Sequence, residues 1–334
     1  MPRLLIRGSL LAVGLVLSLV GATALLLTAL VAAPLVAPPE LRAISEARAS
    51  VDYSALPAVE RFQAHDGTML GFRHYPASGP AAGRAAIVIH GSSGSSGTTI
   101  HALSGALAAH GVETFAIDIR GHGASGTRGD IGYVGQLEDD LADFVAVVRK
   151  TTLAAPLTLI GHSAGGAFAL RVAGSPIQNL FARTVLLAPY LGYDAPTNRP
   201  NSGGWASADI PRLIGLAALR KIGIHCCEAL PVLAFAVPPN SENMLVPAYS
   251  DRLMRNFATR DYRTDLAAAT KPLTIFSGAA DELMLSDKYA EAVRGATPPV
   301  NVKVVDGVNH MGIVSNPGAI SIIAEDVATA GLNS

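Results

Sequence analysis

A short glycine-flanked turn around Ser163 is the feature that most constrains this chain. The apolar, β-favouring run of residues 157–160 predicts a strand before the turn, and the small residues from Ala167 onward predict a helix after it. Gly161 and Gly165 lie two positions on either side of Ser163, a spacing in which a strained turn lifts a serine hydroxyl above a sheet. Because the chain has 33 glycines, this spacing of glycines around a serine could also arise by chance. The interpretation of Ser163 as a nucleophile therefore depends on finding catalytic partners elsewhere in the sequence.

The amino-terminal region is strongly apolar. Residues 8–39 carry no charge, and residues 10–36 are long enough to cross a hydrocarbon core of about 30 Å as a helix. Arg3 and Arg7 precede this stretch, which predicts a cytoplasmic amino terminus and an extracytoplasmic catalytic part on a single-pass anchor. A cleaved signal peptide, giving a secreted or periplasmic protein, is the alternative because residues 31–33 resemble a small-residue cleavage site.

Composition excludes several classes of protein. Half of the 334 residues are hydrophobic, which suffices for one large α/β domain. A net charge of -1 without a basic cluster argues against nucleic-acid binding. Cys226 and Cys227 are adjacent, so they form neither a disulfide framework nor a metal-binding pattern. We expect no cofactor and no metal.

Strand and helix signals alternate along the rest of the chain. Asp66-Gly67, within residues 59–75, predicts a hairpin. Further predicted strands cover residues 85–90, 112–118, 184–188, 273–277 and 300–306. Residues 135–150 predict an amphipathic packing helix with Leu137 and Phe144 on its apolar face. Its acidic residues are Glu138, Asp139, Asp140 and Asp143, which we interpret as a solvated face rather than a metal site.

Three segments together carry a family resemblance: His90-Gly91, DIRGHGASGTRG at residues 118–129, and GHSAGG at residues 161–166. They resemble serine hydrolases of the α/β-hydrolase fold, and most closely the monoacylglycerol lipase and lysophospholipase-like branch, over residues 59–329. The resemblance implies a mostly parallel central sheet flanked by helices. It also implies a carboxylic-ester hydrolase acting on a small-molecule or lipid ester, with Arg120 and His122 as scaffold.

The loop of residues 91–97 is the expected second part of an oxyanion hole. It follows a buried strand and precedes the predicted helix of residues 98–110, which a plain glycine–serine linker has no reason to do. Small residues let backbone amides approach an oxyanion closely. We expect donors from Ala164, at the start of the helix after the nucleophile, and from Ser92, with Ser93 as the alternative to Ser92.

The predicted acid and base follow the last two strands. Asp281 lies in the loop after residues 273–277, where open α/β sheets place catalytic groups, and is preferred over Glu282 and Asp287. Its role would be to orient a histidine and to stabilise the imidazolium. His310 is the only one of nine histidines that follows both Ser163 and Asp281, as the family order of serine, acid and histidine requires.

The domain organisation follows from these assignments. We expect an anchor or signal peptide at residues 1–39, a linker at 40–54, hydrolase core at 55–190 and 271–334, and a helical cap inserted at 191–270. Residues 210–237 are apolar and are expected to act as a lid over Ser163. A helical insertion that merely adds core is the alternative.

The sequence therefore predicts a serine hydrolase that cleaves lipid-like esters through an acyl-enzyme on Ser163. A peptidase or amidase of the same fold is one alternative, and its pocket would need acidic groups such as Asp209, Glu228 or Glu242 from the cap. A non-catalytic, membrane-tethered binding module is the other. The sequence makes no prediction of oligomeric state.

Overall fold

Eleven strands arranged in two sheets form the framework of the computed structural model, which describes residues 2–238 and 245–329. The strands are β1 Glu60–Gln63, β2 Met69–Tyr75, β3 Arg84–Ile89, β4 Val112–Ile117, β5 Leu157–His162, β6 Arg183–Leu187, β7 Ala206–Ala208, β8 Pro231–Phe235, β9 Ala248–Ser250, β10 Leu273–Gly278 and β11 Val300–Val305. The larger sheet has the order β1-β2-β4-β3-β5-β6-β10-β11. Only the two pairings of β2, with β1 and with β4, are antiparallel in it.

Helices flank both faces of the larger sheet. The helices of the described chain are α1 Pro2–Val31, α2 Arg42–Ala49, α3 Ile100–Ala109, α4 Gln136–Thr152, α5 Ala164–Ala173, α6 Ile210–Lys221, α7 Asp251–Asn256, α8 Tyr262–Ala268, α9 Tyr289–Ala292, α10 Gly312–Ser315 and α11 Pro317–Thr329. Alternate side chains of β3 enter opposite cores: Ile87 packs with α4 and α5, whereas Val88 packs with α3 and α11. This accounts for the continuous apolar sequence of β3, since a strand buried on both faces needs no polar side.

Local signals predicted most of this framework. The expected hairpin at Asp66-Gly67 is confirmed: Gln63 pairs with Met69, and Gly67 takes a positive φ of 86°. The apolar face of α4 is also confirmed, because Leu137, Leu141, Phe144, Val145 and Val148 are all buried. The predicted α/β-hydrolase fold, with its mostly parallel sheet, is the fold observed.

The insertion between β6 and β10 differs in part from the expected helical cap. It contains α6, α7 and α8, but also a three-stranded antiparallel sheet of order β7-β8-β9. Two of these strands have only three residues, and β8 begins at a proline. Such short strands show no readable alternation, so their pairing depends on contacts distant in sequence.

The amino-terminal helix is long and apolar. Residues 13–31 have a mean hydropathy of 2.3, and this window is not buried in the described part of the chain, which suits either a membrane anchor or a signal sequence. The last turn of α1 contacts α6: Arg212 donates from Nε to the Val31 carbonyl at 2.8 Å and also reaches the Ala33 carbonyl. A Cβ at Gly215 of α6 would lie 3.0 Å from Val31 and 3.1 Å from Leu30.

Residues 40–54, expected to be a linker, contain helix α2. Its Ile44 is 2% exposed and belongs to the main core. Arg42 and Glu46 point to solvent, whereas Ile44 and Arg48, four residues apart, share the inner face. The charged residues Arg42 and Glu46 therefore belong to the outer side of α2, whereas the charged Arg48 faces inward.

Candidate active site

Ser163 occupies the strained turn that its flanking glycines predict. It lies between β5 and α5 with φ 54° and ψ −116°, a conformation uncommon for a residue with a side chain. A Cβ at Gly161 would lie 2.1 Å from the Gly165 carbonyl oxygen, and one at Gly165 would lie 2.3 Å from the His90 carbonyl oxygen. The glycines are therefore required for the close approach of backbone on both sides of the serine. The Ser163 amide donates to the Leu187 carbonyl at 2.9 Å, which fixes the turn against β6.

Asp281 and His310 form a buried hydrogen-bonded pair. Their Oδ2 and Nδ1 atoms are 2.9 Å apart, and each residue is 1% exposed. The other carboxylate oxygen, Oδ1, accepts from the amides of Leu283 and Met284 at 2.8 and 2.7 Å. Burial raises the pKa of Asp281, but the charge of His310 and these hydrogen bonds outweigh it, so the pKa lies below its ordinary value. An ionised Asp281 accepts a hydrogen bond from the Nδ1–H of His310, which leaves Nε2 of that ring as the basic nitrogen.

The two alternative acids lie elsewhere. Glu282 accepts a hydrogen bond from the backbone amide of His310 at 2.9 Å and so holds the main chain of the loop. Asp287 is exposed in the 3₁₀ helix Ser286–Lys288. Within the described part of the chain, Asp281 is thus the carboxylate that contacts the His310 ring.

The loop after β3 distinguishes between the two candidate oxyanion donors. The Ser93 amide donates to the hydroxyl of Tyr249 at 2.7 Å, with Ser93 at a positive φ of 65°. Ser92 lines the cavity beside Ser163, and its Oγ accepts from the Trp205 indole at 2.7 Å. Ala164 begins α5, so its amide belongs to the first helical turn, which lacks intrahelical acceptors. Ser92 and Ala164 are the pair that this geometry favours.

Three histidines near Ser163 make structural contacts. His122 lies 2.6 Å from the Tyr249 hydroxyl, and burial lowers its pKa well below the ordinary value. His90 contacts the Ile119 amide, and burial lowers its pKa too. Burial and the nearby His310 lower the pKa of His162 to about 3, and its Nε2 faces the His310 carbonyl at 3.2 Å. These rings are neutral at physiological pH.

The acidic run of α4 is solvated only in part, which corrects the interpretation from sequence: Asp139 is exposed, but the other acids have partners. Asp140 is 3% exposed and accepts two hydrogen bonds from Arg120, whose side chain also pairs with Asp66. Glu138 pairs with Arg171, and Asp143 contacts His65. Among the described residues no cluster of three or more histidine, cysteine or acidic side chains has the arrangement of a metal site.

A small cavity joins the pieces of the site. Its free volume is about 20 Å³, room for little more than one water molecule. The lining residues are Ile44, Arg48, Gly91, Ser92, Gly94, Thr98, Thr99, His162, Ser163, Trp205, Leu283, His310 and Met311. The expected lid of residues 210–237 is not among them. The cover over Ser163 comes instead from α2, through Ile44 and Arg48, and from Trp205.

Sequence reasoning missed these covering residues. Ile44 and Arg48 have helical spacing in a charged segment, which was the only local signal. Trp205 and Tyr249 give no local signal, because their contacts with Ser92 and Ser93 span more than a hundred residues.

The order of the sheet, the serine turn after β5 and the Asp–His pair in the loops after β10 and β11 define an α/β hydrolase. Comparison with known proteins places it further. The chain belongs to the Hydrolase_4 family, described as serine aminopeptidase, S33, whose model matches residues 81–314, more than half of the chain. The sequence-based resemblance to α/β-hydrolase serine hydrolases is thereby confirmed. A search of the curated proteins found no match.

Several solved structures share the fold. A soluble variant of monoglyceride lipase from Saccharomyces cerevisiae, in complex with a substrate analogue, has a TM-score of 0.60 at 16% identity, covering 84% of this chain and 96% of its own. A monoacylglycerol lipase from Paleococcus ferrophilus has a TM-score of 0.56 at 16% identity, covering 78% and 98%. Est1E from Butyrivibrio proteoclasticus, with bound ferulic acid, has a TM-score of 0.56 at 18% identity, covering 82% and 98%.

Proposed function

We propose that this protein is a serine hydrolase that cleaves lipid-like carboxylic esters through an acyl-enzyme on Ser163. The observation that carries the proposal is the buried 2.9 Å contact between Asp281 and His310, with His310 and Ser163 lining one cavity. A histidine with its Nδ1 proton held by a carboxylate has its other nitrogen available as a base. A serine on a strained turn at the start of a helix is presented to such a base without competing backbone contacts.

The reaction proceeds in two halves. Ser163 Oγ attacks the ester carbonyl carbon while His310 Nε2 takes the hydroxyl proton. The tetrahedral intermediate collapses, and the alcohol leaves with the proton from His310. Water then attacks the acyl-enzyme, giving its proton to His310, and Ser163 recovers that proton as the carboxylic acid departs. Asp281 stays ionised throughout and stabilises the imidazolium.

The amides of Ser92 and Ala164 would bind the oxyanion in both halves. Two preorganised donors in a site from which water is excluded stabilise developing charge strongly, and loss of one such donor typically costs about 10²–10³ in kcat. Trp205 supports this assignment, because its hydrogen bond to Ser92 Oγ fixes the residue that carries one of the donors.

The walls of the cavity favour an ester with an apolar acyl group. Ile44, Trp205, Leu283 and Met311 supply its apolar lining. Two of the structures with the same fold are described as monoglyceride or monoacylglycerol lipases. Each buried methylene contributes about 0.8 kcal/mol, so a longer acyl chain gains binding free energy until the pocket is full.

The peptidase alternative, although it matches the family's name, has less support. An aminopeptidase pocket needs acidic groups for the substrate amine, and no carboxylate is among the cavity-lining residues of the described chain. Asp209 caps α6, Glu228 pairs with Arg255, and Glu242 lies outside the described residues. The cation at the cavity, Arg48, would repel an ammonium group.

We also propose that α1 is a retained anchor with the catalytic part extracytoplasmic. The contacts of Arg212 and Gly215 with residues 30–33 support retention, because cleavage after Ala33 would remove α1 and leave this face of α6 uncovered. The positive charges of Arg3 and Arg7 support the orientation.

The test is a panel of acyl esters from acetyl to decanoyl, with a matched series of aminoacyl amides, on the full-length protein in detergent micelles. We expect kcat/KM to rise with acyl length and the amides to be poor substrates. Labelling with a serine-directed fluorophosphonate, absent in Ser163→Ala, distinguishes an enzyme from a binding module. Flat kcat/KM across the esters with faster amide cleavage would overturn the lipid-ester proposal in favour of a peptidase.

A further inference from the structure

Arg48 places a positive charge at the wall of the candidate active site. It lies on α2 one helical turn after Ile44, and both side chains line the cavity that contains Ser163 and His310. Its guanidinium carbon is 5.9 Å from the centre of the Trp205 ring, within the range of a cation–π contact. Of the residues that line this cavity in the described chain, Arg48 is the one lysine or arginine.

The guanidinium of Arg48 has no acidic partner. No carboxylate lies within salt-bridge distance of it among residues 2–238 and 245–329, and its Nε is buried without a hydrogen-bond acceptor. The three arginines of the described chain that are buried as whole residues differ, because each has an acidic partner: Arg120 pairs with Asp140, Arg171 with Glu138, and Arg212 with Asp209. Burial lowers the pKa of Arg48 to about 10, which leaves it charged at neutral pH.

An unpaired buried charge is costly, and natural proteins normally compensate it with an opposite charge. Here the half-buried Arg48 lines the same cavity as the proposed nucleophile and base. Guanidinium donors match carboxylate and phosphate oxygens in geometry, so an anion on a bound substrate is the compensation that fits. Trp205 would hold the guanidinium plane while leaving its edge free to donate.

We propose that Arg48 is a specificity-determining residue that binds an anionic group, carboxylate or phosphate, of the ester substrate. The inference rests on the proposed function and narrows its substrate class to anionic esters. It also gives α2 a role in recognition, since the segment between the apolar helix and the hydrolase core supplies the binding group.

A binding measurement tests this independently of catalysis. Trp205 is the only tryptophan of the chain, so intrinsic fluorescence reports on the neighbourhood of Arg48. Full-length Ser163→Ala in neutral detergent is titrated with adipate, a dicarboxylate, and with glycerol 3-phosphate. We expect a saturable change with at least one probe, lost when Arg48→Gln is added and partly kept with Arg48→Lys. Arg42→Gln, on the exposed side of α2, is the matched control and should bind as its parent does.

A kinetic measurement adds the substrate readout. Monomethyl adipate is compared with methyl hexanoate, and 1-decanoylglycerol 3-phosphate with 1-decanoylglycerol. We expect the ratio of kcat/KM for the anionic to the neutral member to fall about ten- to hundredfold in Arg48→Gln, as for loss of a hydrogen bond to a charged group, and to be unchanged in Arg42→Gln. A preference confined to the adipate pair identifies a carboxylate, and one confined to the phosphate pair identifies a phosphate.

The inference fails if neither probe gives a saturable fluorescence change, or if Arg48→Gln changes neither the binding nor the ratio. It fails too if Arg48→Gln lowers both members of each pair equally, which would indicate a structural role. These outcomes are distinct from failure of the proposed function, in which wild-type protein cleaves none of the four esters or cleaves them equally well as Ser163→Ala.

Discussion

At the scale of single residues, each of the two carboxylate oxygens of Asp281 has its own role. One oxygen meets the His310 ring, and the other is fixed by the amides of Leu283 and Met284. The carboxylate is therefore held ionised and oriented by the same contacts. An Asp281→Asn amide would keep the size of the side chain, but it would favour the wrong tautomer of His310.

We expect Ser163→Ala, Asp281→Asn and His310→Ala each to lower kcat for ester hydrolysis about a thousandfold or more, because the three groups act as a unit. Asp287→Asn, at an exposed position six residues after Asp281 in the chain, is the control and should keep near wild-type kcat. Initial rates with a chromogenic ester, alongside thermal unfolding of each variant, give the measurement. An active Asp281→Asn with an inactive Asp287→Asn would show that the acid is assigned incorrectly.

The buried ring of His162 should make folding stability depend on pH. Its pKa is about 3 because burial and His310 disfavour its charged form, whereas in the unfolded chain it has an ordinary pKa of about 6.5. Only the unfolded chain gains this proton below pH 6.5, so the contribution to folding stability is present above that pH and is lost as pH falls toward 3. The expected slope is about 1.4 kcal/mol per pH unit for this one group.

Urea unfolding between pH 7.5 and 5.0 measures that slope. His162→Gln removes the titrating group and should give a shallower decline than wild type, whatever its stability at pH 7.5. His225→Gln, at an exposed cap position, serves as control and should decline as wild type does. Equal slopes for wild type and His162→Gln would contradict the assignment of a neutral, buried ring.

At the scale of elements, the contact between α1 and α6 joins the apolar amino terminus to the insertion. Gly215 makes this contact possible, since a Cβ there would lie 3.0 Å from Val31 and 3.1 Å from Leu30, closer than ordinary van der Waals contact. We expect Gly215→Leu to lower the free energy of unfolding of the full-length protein by roughly 1–3 kcal/mol through overpacking. Gly105→Ala in α3, where a Cβ meets no atom within 4 Å, should instead be neutral or stabilising.

Differential scanning calorimetry of both variants in detergent compares them. A Gly215→Leu protein as stable as wild type would mean that α1 and α6 do not pack together in the mature protein. That result would favour removal of α1 as a signal sequence.

Some structural elements could be predicted from the sequence and others could not. The Ser163 turn, the hairpin at Asp66-Gly67 and the face of α4 follow from spacings within a few residues, so they could be predicted. The β7-β8-β9 sheet could not, because three-residue strands carry no periodicity of their own. The same holds for the covering of Ser163 by α2 and Trp205, since those contacts form only when distant segments fold together.

At the scale of the whole molecule, the orientation of the amino-terminal helix in the membrane decides on which side the hydrolase would act. With Arg3 and Arg7 before the apolar helix, we expect the catalytic part to lie on the extracytoplasmic side. Protease added to intact cells whose outer layer is permeable should digest the domain, while a cytoplasmic marker protein stays intact. Protection of the domain would refute the orientation, and recovery of a mature form beginning near Pro34 would refute the anchor.

The central claim, that Ser163 carries a covalent acyl group during turnover, is tested by trapping it. Full-length protein is mixed with a p-nitrophenyl ester, quenched in acid within milliseconds and examined by intact and peptide mass spectrometry. The account predicts an added acyl mass on the peptide that contains Ser163, accumulating in Asp281→Asn or His310→Ala only slowly and absent in Ser163→Ala. Turnover without any acyl adduct, or an adduct on another residue that persists in Ser163→Ala, would contradict it.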